Sequence, residues 1–248
     1  ILLPEGSDEH LLESICRDMD AAARRLGVGI VGGHTEVTPD LSHPIVIVFP
    51  IGVAQGQRYT TCSNARPGST IILTKSIAIE GTAILAHDRE EPLRNRFGDD
   101  FVNHSKAYFD RLSVLTEALA AFRTGHVLSM HDPTEGGLAG GLNEMADAAG
   151  VGFKIYEDRI PITPETADIC KFFEIDALAL ISSGALLIAA EPEKAEEVVR
   201  KVEGIGIPSA IIGEIMGQRD HRVIVKQDGG EEKLLMPPYD ELWKALRQ

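Results

Sequence analysis

The feature that most limits what this chain can fold into is the run His131-Asp132-Pro133-Thr134-Glu135-Gly136-Gly137. The residues before it, His126 to Met130, read as a strand, and Leu138 to Ala149 read as a helix, so the run is a strand-to-helix turn. Its two glycines let the backbone approach a ligand, and the following helix start offers unpaired N–H groups to an anion. In that setting Asp132 suits a magnesium ion and Thr134 suits a phosphate oxygen. The same two residues are also ordinary caps for a helix opening at Gly137, and residue type leaves both readings open.

Three other stretches share the pattern of small residues at the end of an element. Gly32-Gly33-His34-Thr35-Glu36 follows an apolar run, and its hydroxyl and carboxylate suit a phosphate–metal site or a plain tight turn. Ser182-Ser183-Gly184 precedes the strand expected from Ala185 to Ala190, and either leaves room for a substrate or forms a simple loop. Glu80-Gly81-Thr82 lies at a helix start, where Glu80 is a substrate-side carboxylate or merely a complement to the helix dipole. His34 and His131 are candidate acid–base groups or hydrogen-bonded turn residues. The sequence contains no Walker loop and no GxSxG elbow.

Periodicity predicts a helix from Asp8 to Leu26 capped by Ser7, a short strand from Val28 to Val31, and a buried strand from Pro44 to Ala54. The polar stretch Gln55 to Ser69 marks a boundary, giving domains at 1–66 and 67–248. In the second, strands are expected at Thr70–Lys75, Val151–Tyr156, Ser209–Ile215 and Arg222–Lys226. Helices are expected at Ile79–His87, Tyr108–Phe122, Pro164–Phe173, Pro192–Val202 and Asp240–Leu246, with a lid-like loop from Asp88 to Asp100. Mixed strands and helices imply an α/β (α+β) layered fold.

The net charge of −14 and the lack of a dense Lys/Arg cluster argue against nucleic acid as a partner. A polyphosphate bound to so acidic a chain needs a divalent cation and helix N-termini to offset the repulsion. No apolar run reaches membrane-spanning length, so no membrane partner is expected. The three cysteines, Cys16, Cys62 and Cys170, are far apart and form no CxxC pair, which fits a reducing cytoplasm. The opening Ile-Leu-Leu-Pro reads as the exit of a strand, and a segment upstream of it is expected.

The succession Gly-Gly-His-Thr-Glu, Ile-Glu-Gly-Thr-Ala-Ile-Leu and His-Asp-Pro-Thr-Glu-Gly-Gly-Leu resembles the AIR synthase-related (PurM-like) superfamily. With Asn143-Glu144-Met145-Ala146 and Gly150-Val151-Gly152 it is most similar to the hydrogenase-maturation (HypE) branch, from about Ser7 to Ile215. The resemblance implies a PurM-like two-domain protein whose N-terminal domain pairs with a second copy in a shared β-barrel, hence a homodimer. It also implies ATP and Mg2+ as cofactors, and an enzyme that activates an amide or acid oxygen of an unknown small-molecule or protein acceptor by phosphoryl transfer. Carried over by position, Asp132, His131 and Glu80 are the catalytic candidates. Gly33, His34, Thr35, Thr134, Gly136, Gly137, Ser182 and Ser183 are the nucleotide-side residues, and Asp132 and Glu36 the metal ligands. His34-Thr35-Glu36 and the turn at Asp132 are expected to face one cleft. Two departures stand out. No cysteine follows Cys170, where HypE-type proteins react on a C-terminal cysteine, and Ser182-Ser183-Gly184-Ala185 looks more like selenophosphate synthetases. A non-catalytic nucleotide-binding scaffold and a selenophosphate synthetase-like phosphotransferase are the alternatives.

Overall fold

The computed structural model describes residues 1–54, 56 and 58–248. Gln55 and Gln57, both in the stretch expected to be a polar boundary, lie outside the described residues. The chain forms two compact units, Ile1–Arg58 and Tyr59–Gln248.

In the first unit, β1 (Leu2–Leu3) runs parallel to β2 (Glu36–Val37), and Leu2 also bridges antiparallel to Ile45. Between them lies α1 (Glu9–Leu26). Its cap is Asp8, whose carboxylate accepts the Leu11 N–H at 2.9 Å, and not Ser7, whose hydroxyl donates to the Pro4 carbonyl at 2.7 Å. Gly27, at φ 67°, ends the helix in the left-handed conformation. The strands expected at Val28–Val31 and Pro44–Ala54 do not form: beyond the Ile45 bridge, those residues have no ladder partner among the described residues. Their side chains are consequently bare, with Phe49 84% and Val53 93% exposed. Strong β-propensity needs a neighbouring strand to express itself, and β1 is only two residues long.

The second unit is built on one seven-stranded sheet. Its strands are β3 (Thr70–Thr74), β4 (Val127–His131), β5 (Gly152–Tyr156), β6 (Leu187–Ala190), β7 (Ser209–Met216), β8 (Arg222–Val225) and β9 (Glu231–Lys233), in the order β4-β6-β3-β7-β5-β8-β9. All neighbouring pairs are antiparallel except β5 with β8. The short edge strand β9 was not anticipated.

Side chains alternate across β3. Ile71 and Leu73 face a core with Leu138, Leu142 and Met145 of α6 (Gly137–Ala149), while Ile72 packs with Ala121, Val198 and Val202 on the other face. Those partners come from α5 (Leu115–Phe122) and α8 (Ala195–Glu203). A further core unites α2 (Ile79–Asp88), α7 (Pro164–Phe172) and α9 (Leu242–Leu246) through Leu85, Ile169, Leu242 and Ala245.

The expected lid from Asp88 to Asp100 is instead α3 (Glu90–Phe97) and α4 (Asp99–Lys106), separated by Gly98 at φ 89°. Leu93 and Val102 are fully buried in that same core, so a charged-looking segment carries a narrow apolar stripe. The helix expected from Tyr108 to Phe122 is broken: Ala107–Arg111 is a 3-10 turn, and α5 starts only at Leu115. Tyr59–Arg66, placed by sequence before the domain boundary, lies in the second compact unit. There Cys62 Sγ donates to the Met130 carbonyl at 3.6 Å, and the Cys62 carbonyl accepts the Ser129 hydroxyl at 3.3 Å. Among the described residues no helix is long and apolar enough to cross a membrane.

Candidate functional site

Strand β4 delivers His131 to the start of the turn, and α6 begins at Gly137. Asp132, Thr134 and Glu135 are exposed, whereas Pro133, Gly136 and Gly137 are buried. No side chain within the turn caps α6. Among the described residues neither the Asp132 carboxylate nor the Thr134 hydroxyl makes a hydrogen bond, so the capping explanation for these two residues does not apply. The cap comes from far along the chain. The Gly136 N–H donates to Asp240 Oδ2 at 2.7 Å, and Asp240 Oδ1 accepts the Leu242 N–H at 2.8 Å.

The two glycines serve packing. Gly136 is left-handed at φ 76°, and Gly137, at φ 60°, lies against the Leu178 and Leu180 carbonyls; a Cβ there would sit 2.7 and 2.5 Å from those oxygens. The Gly137 N–H donates to the Thr134 carbonyl at 3.0 Å. One N–H is thus taken by Asp240 and the other by Thr134, and the space beside Gly137 is filled by main chain.

His131 Nε2 lies 2.6 Å from Glu144 Oε2, on a residue two turns into α6 that sequence reasoning did not single out as a site residue. A carboxylate at Nε2 places the ring proton there and leaves Nδ1 as the free basic nitrogen. Burial pushes the Cys62 thiol up, and the nearby charges of Glu144 and Asp132 push it further. Cys62 thus stays protonated beside Asp132 and Glu144.

Residues 180–182 gather the second-unit features. The Ser182 N–H donates to the Thr134 carbonyl at 3.3 Å, and the Gly81 N–H donates to the Ile181 carbonyl at 3.1 Å. Ser182 Oγ accepts the Ala78 N–H at 2.8 Å and donates to the Leu180 carbonyl at 2.9 Å. Ser182 is fully buried, so its hydroxyl joins two backbone segments and does not open onto a substrate space; Ser183 is half-buried. Glu80, in the first turn of α2, is half-buried and its Oε2 has no hydrogen-bond partner. The main chain at Thr134 and at Gly81, next to Glu80, is therefore joined to one connector.

Behind the connector lies a buried ion pair that the sequence did not flag. Lys75, just past the end of β3, has a left-handed backbone, φ 55°. Its Nζ lies 2.6 Å from Glu117 Oε1 and donates to the carbonyls of Gly184 at 2.6 Å, Ser113 at 2.9 Å and Arg111 at 3.0 Å. Burial pulls the ammonium below its ordinary value, and the hydrogen bond and charge of Glu117 pull it back up.

In the first unit, Glu36 of β2 is exposed and its carboxylate meets His34 Nε2 at 3.2 Å and the Thr38 hydroxyl at 3.5 Å. The space beside Gly33 is open to 4 Å, and Thr35 is exposed.

Among the described residues no three His, Cys, Asp or Glu side chains are arranged to hold a metal on their own.

Residues 66–226 match the C-terminal domain of the AIR synthase-related family, and residues 1–54 match its N-terminal domain. The chain is 33% identical over 234 residues to carbamoyl dehydratase HypE of Rhizobium leguminosarum bv. viciae, covering 92% of this chain and 65% of that protein. It therefore spans just under two thirds of that relative's length, and the lack of a cysteine after Cys170 describes these 248 residues alone. The crystal structure of Escherichia coli HypE superposes with a TM-score of 0.80 at 23% identity, over 98% of this chain and 74% of that one. A HypE structure in complex with ATP superposes with a TM-score of 0.72 at 25% identity, over 98% and 73%. With both of its domains matched in order, the chain belongs to the AIR synthase-related family.

Proposed function

We propose that this chain binds ATP with Mg2+ and activates the oxygen of a carboxamide by phosphoryl transfer, as the name carbamoyl dehydratase given to its relatives suggests. The observation that carries this reading is the state of Asp132 and Thr134. Both are exposed and unengaged on a turn whose backbone is fixed by other groups, so they are free for a ligand. Asp132 would hold the divalent cation, and Thr134 would donate to a phosphate oxygen. The metal supplies charge neutralisation that this acidic protein otherwise lacks. In the transfer the amide oxygen forms a bond to the γ-phosphorus as the bond from that phosphorus to the β–γ bridging oxygen breaks, releasing ADP. Loss of phosphate and of the two amide protons then leaves a nitrile. His131 accepts a proton at Nδ1, with Glu144 holding the opposite nitrogen, and Glu80 is carried over from the family as the third catalytic candidate. Gly33, His34, Thr35 and Glu36 are the proposed nucleotide- and metal-binding residues of the first unit, by carry-over from the family.

Asp132→Asn tests this. An amide keeps the side chain's shape but removes the hard anionic oxygen that magnesium prefers. ATP–magnesium affinity should fall at least tenfold, about 1.4 kcal/mol, while the melting temperature stays within a degree or two. Equal affinities by titration calorimetry would refute the assignment. Hydrolysis of ATP that depends on magnesium separates an enzyme from a scaffold that only binds the nucleotide.

We also propose a homodimer formed through the first unit, in the cytoplasm. Its support is the bare run Val46, Ile47, Val48, Phe49, Ile51 and Val53, each 42–93% exposed. Fully burying one such side chain contributes about 1.5–3 kcal/mol, so a matching surface on a second copy is strongly favoured. Light scattering at micromolar concentration should give twice the chain mass. A monomer would sink the proposal, and Phe49→Asp should shift the equilibrium toward monomer by at least tenfold.

A further inference from the structure

We infer that Asp240 is a positioning residue for the His131–Gly137 turn, an inference that rests on ATP binding at that turn. Asp240 lies beyond residues 66–226, the stretch that matches the family's C-terminal domain. It is nevertheless 5% exposed and inserts both carboxylate oxygens into backbone donors. One oxygen takes the Gly136 N–H and the other the Leu242 N–H. The segment carrying it is fixed on both sides. The Leu234 carbonyl accepts Asn143 Nδ2 of α6 at 3.1 Å, and the Glu241 N–H donates to the Ala179 carbonyl at 3.2 Å. Pro237 Cδ lies 3.6 Å from where a side chain on Gly136 would begin.

Two consequences follow for the site. Gly136 is held left-handed with its N–H turned into the protein, which sets the path of the preceding residues and so the directions of Asp132 and Thr134. A carboxylate already occupies the anion position at the start of α6, complementing the helix dipole. A bound phosphate is thereby kept on the Asp132–Thr134 side of the turn, away from Gly136. The carboxylate fits because both of its oxygens accept; an amide has one acceptor and turns its NH2 toward a backbone N–H.

The test uses the full chain and three readings: amide exchange at Gly136 without nucleotide, ATP–magnesium affinity, and melting temperature. Asp240→Asn should speed Gly136 exchange at least tenfold and weaken ATP–magnesium at least tenfold. In the enzyme it should raise KM for ATP while kcat changes less than twofold. Leu242→Ala, which loosens the same arm through its buried side chain, should lower the melting temperature with affinity near wild type. If Asp240→Asn folds poorly, Asp240→Ser still caps Leu242 yet is too short for Gly136, and the same shifts are expected. Unchanged Gly136 exchange overturns the inference, as do equal effects of Asp240→Asn and Leu242→Ala on affinity. Faster exchange with unchanged affinity also overturns it, and if Asp132→Asn is equally silent, the fault lies with ATP binding at this turn.

Discussion

Lys75→Met should lower the stability of the second unit by about 3–5 kcal/mol, the usual cost of removing one partner from a buried ion pair. Glu117 is 1% exposed and its Oε2 already lacks a hydrogen-bond partner, so the variant strands a carboxylate in the interior. Three carbonyls, of Arg111, Ser113 and Gly184, lose their shared donor at the same time. The left-handed backbone at residue 75 is as awkward for methionine as for lysine, so that contribution cancels. Pairing the change with Glu117→Leu removes the stranded charge and should restore much of the loss. Urea unfolding of the two variants decides the matter; a single variant within 1 kcal/mol of wild type would mean that water reaches the pair.

Gly137→Ala should cost about 2–4 kcal/mol, combining a left-handed alanine with overpacking against main chain. The Leu178 and Leu180 oxygens that meet the new Cβ belong to the backbone and cannot swing aside. Gly150→Ala is the matched control. Gly150 is also left-handed, at φ 68°, but has nothing within 4 Å of the added carbon. It should cost only about 1 kcal/mol. The difference between the two variants measures how tightly α6 is pressed onto residues 178–180, and comparable losses would show that the contact yields.

Local sequence carried the second unit well because its elements bury alternating or helical apolar faces. Ile71, Ile72 and Leu73 announce β3, and Thr163 before Pro164 opens α7 as capping chemistry dictates. The failures have separate causes. At Asp88–Asp100 the charges outnumber the few apolar residues, Leu93 and Phe97 among them, that make the helices worthwhile. At Pro44–Ala54 the apolar run is real, but a strand exists only where another strand receives it. Within the site, the turn at Asp132 was legible as a strand-to-helix junction. The groups that hold it were not: Asp240 lies 104 residues from Gly136, Glu144 lies 13 from His131, and Ser182 lies 104 from Ala78. No local pattern encodes such pairings. Ser182 looked like an open, small-residue loop because its neighbours are small; their smallness is what lets backbones meet there.

The order of the strands carries one more implication. A sheet normally invites company at its two outer strands, where unpaired backbone groups can zip onto a foreign strand. Here β4 has the Cys62 turn laid along it, with the thiol on the Met130 carbonyl. At the opposite rim, β9 is Glu231-Glu232-Lys233, three exposed charges on a strand of three residues. Strand addition is opposed at both rims, at one by the Cys62 turn and at the other by charge. Recognition of this unit is thereby steered from strand addition toward the side chains of its loops and helices.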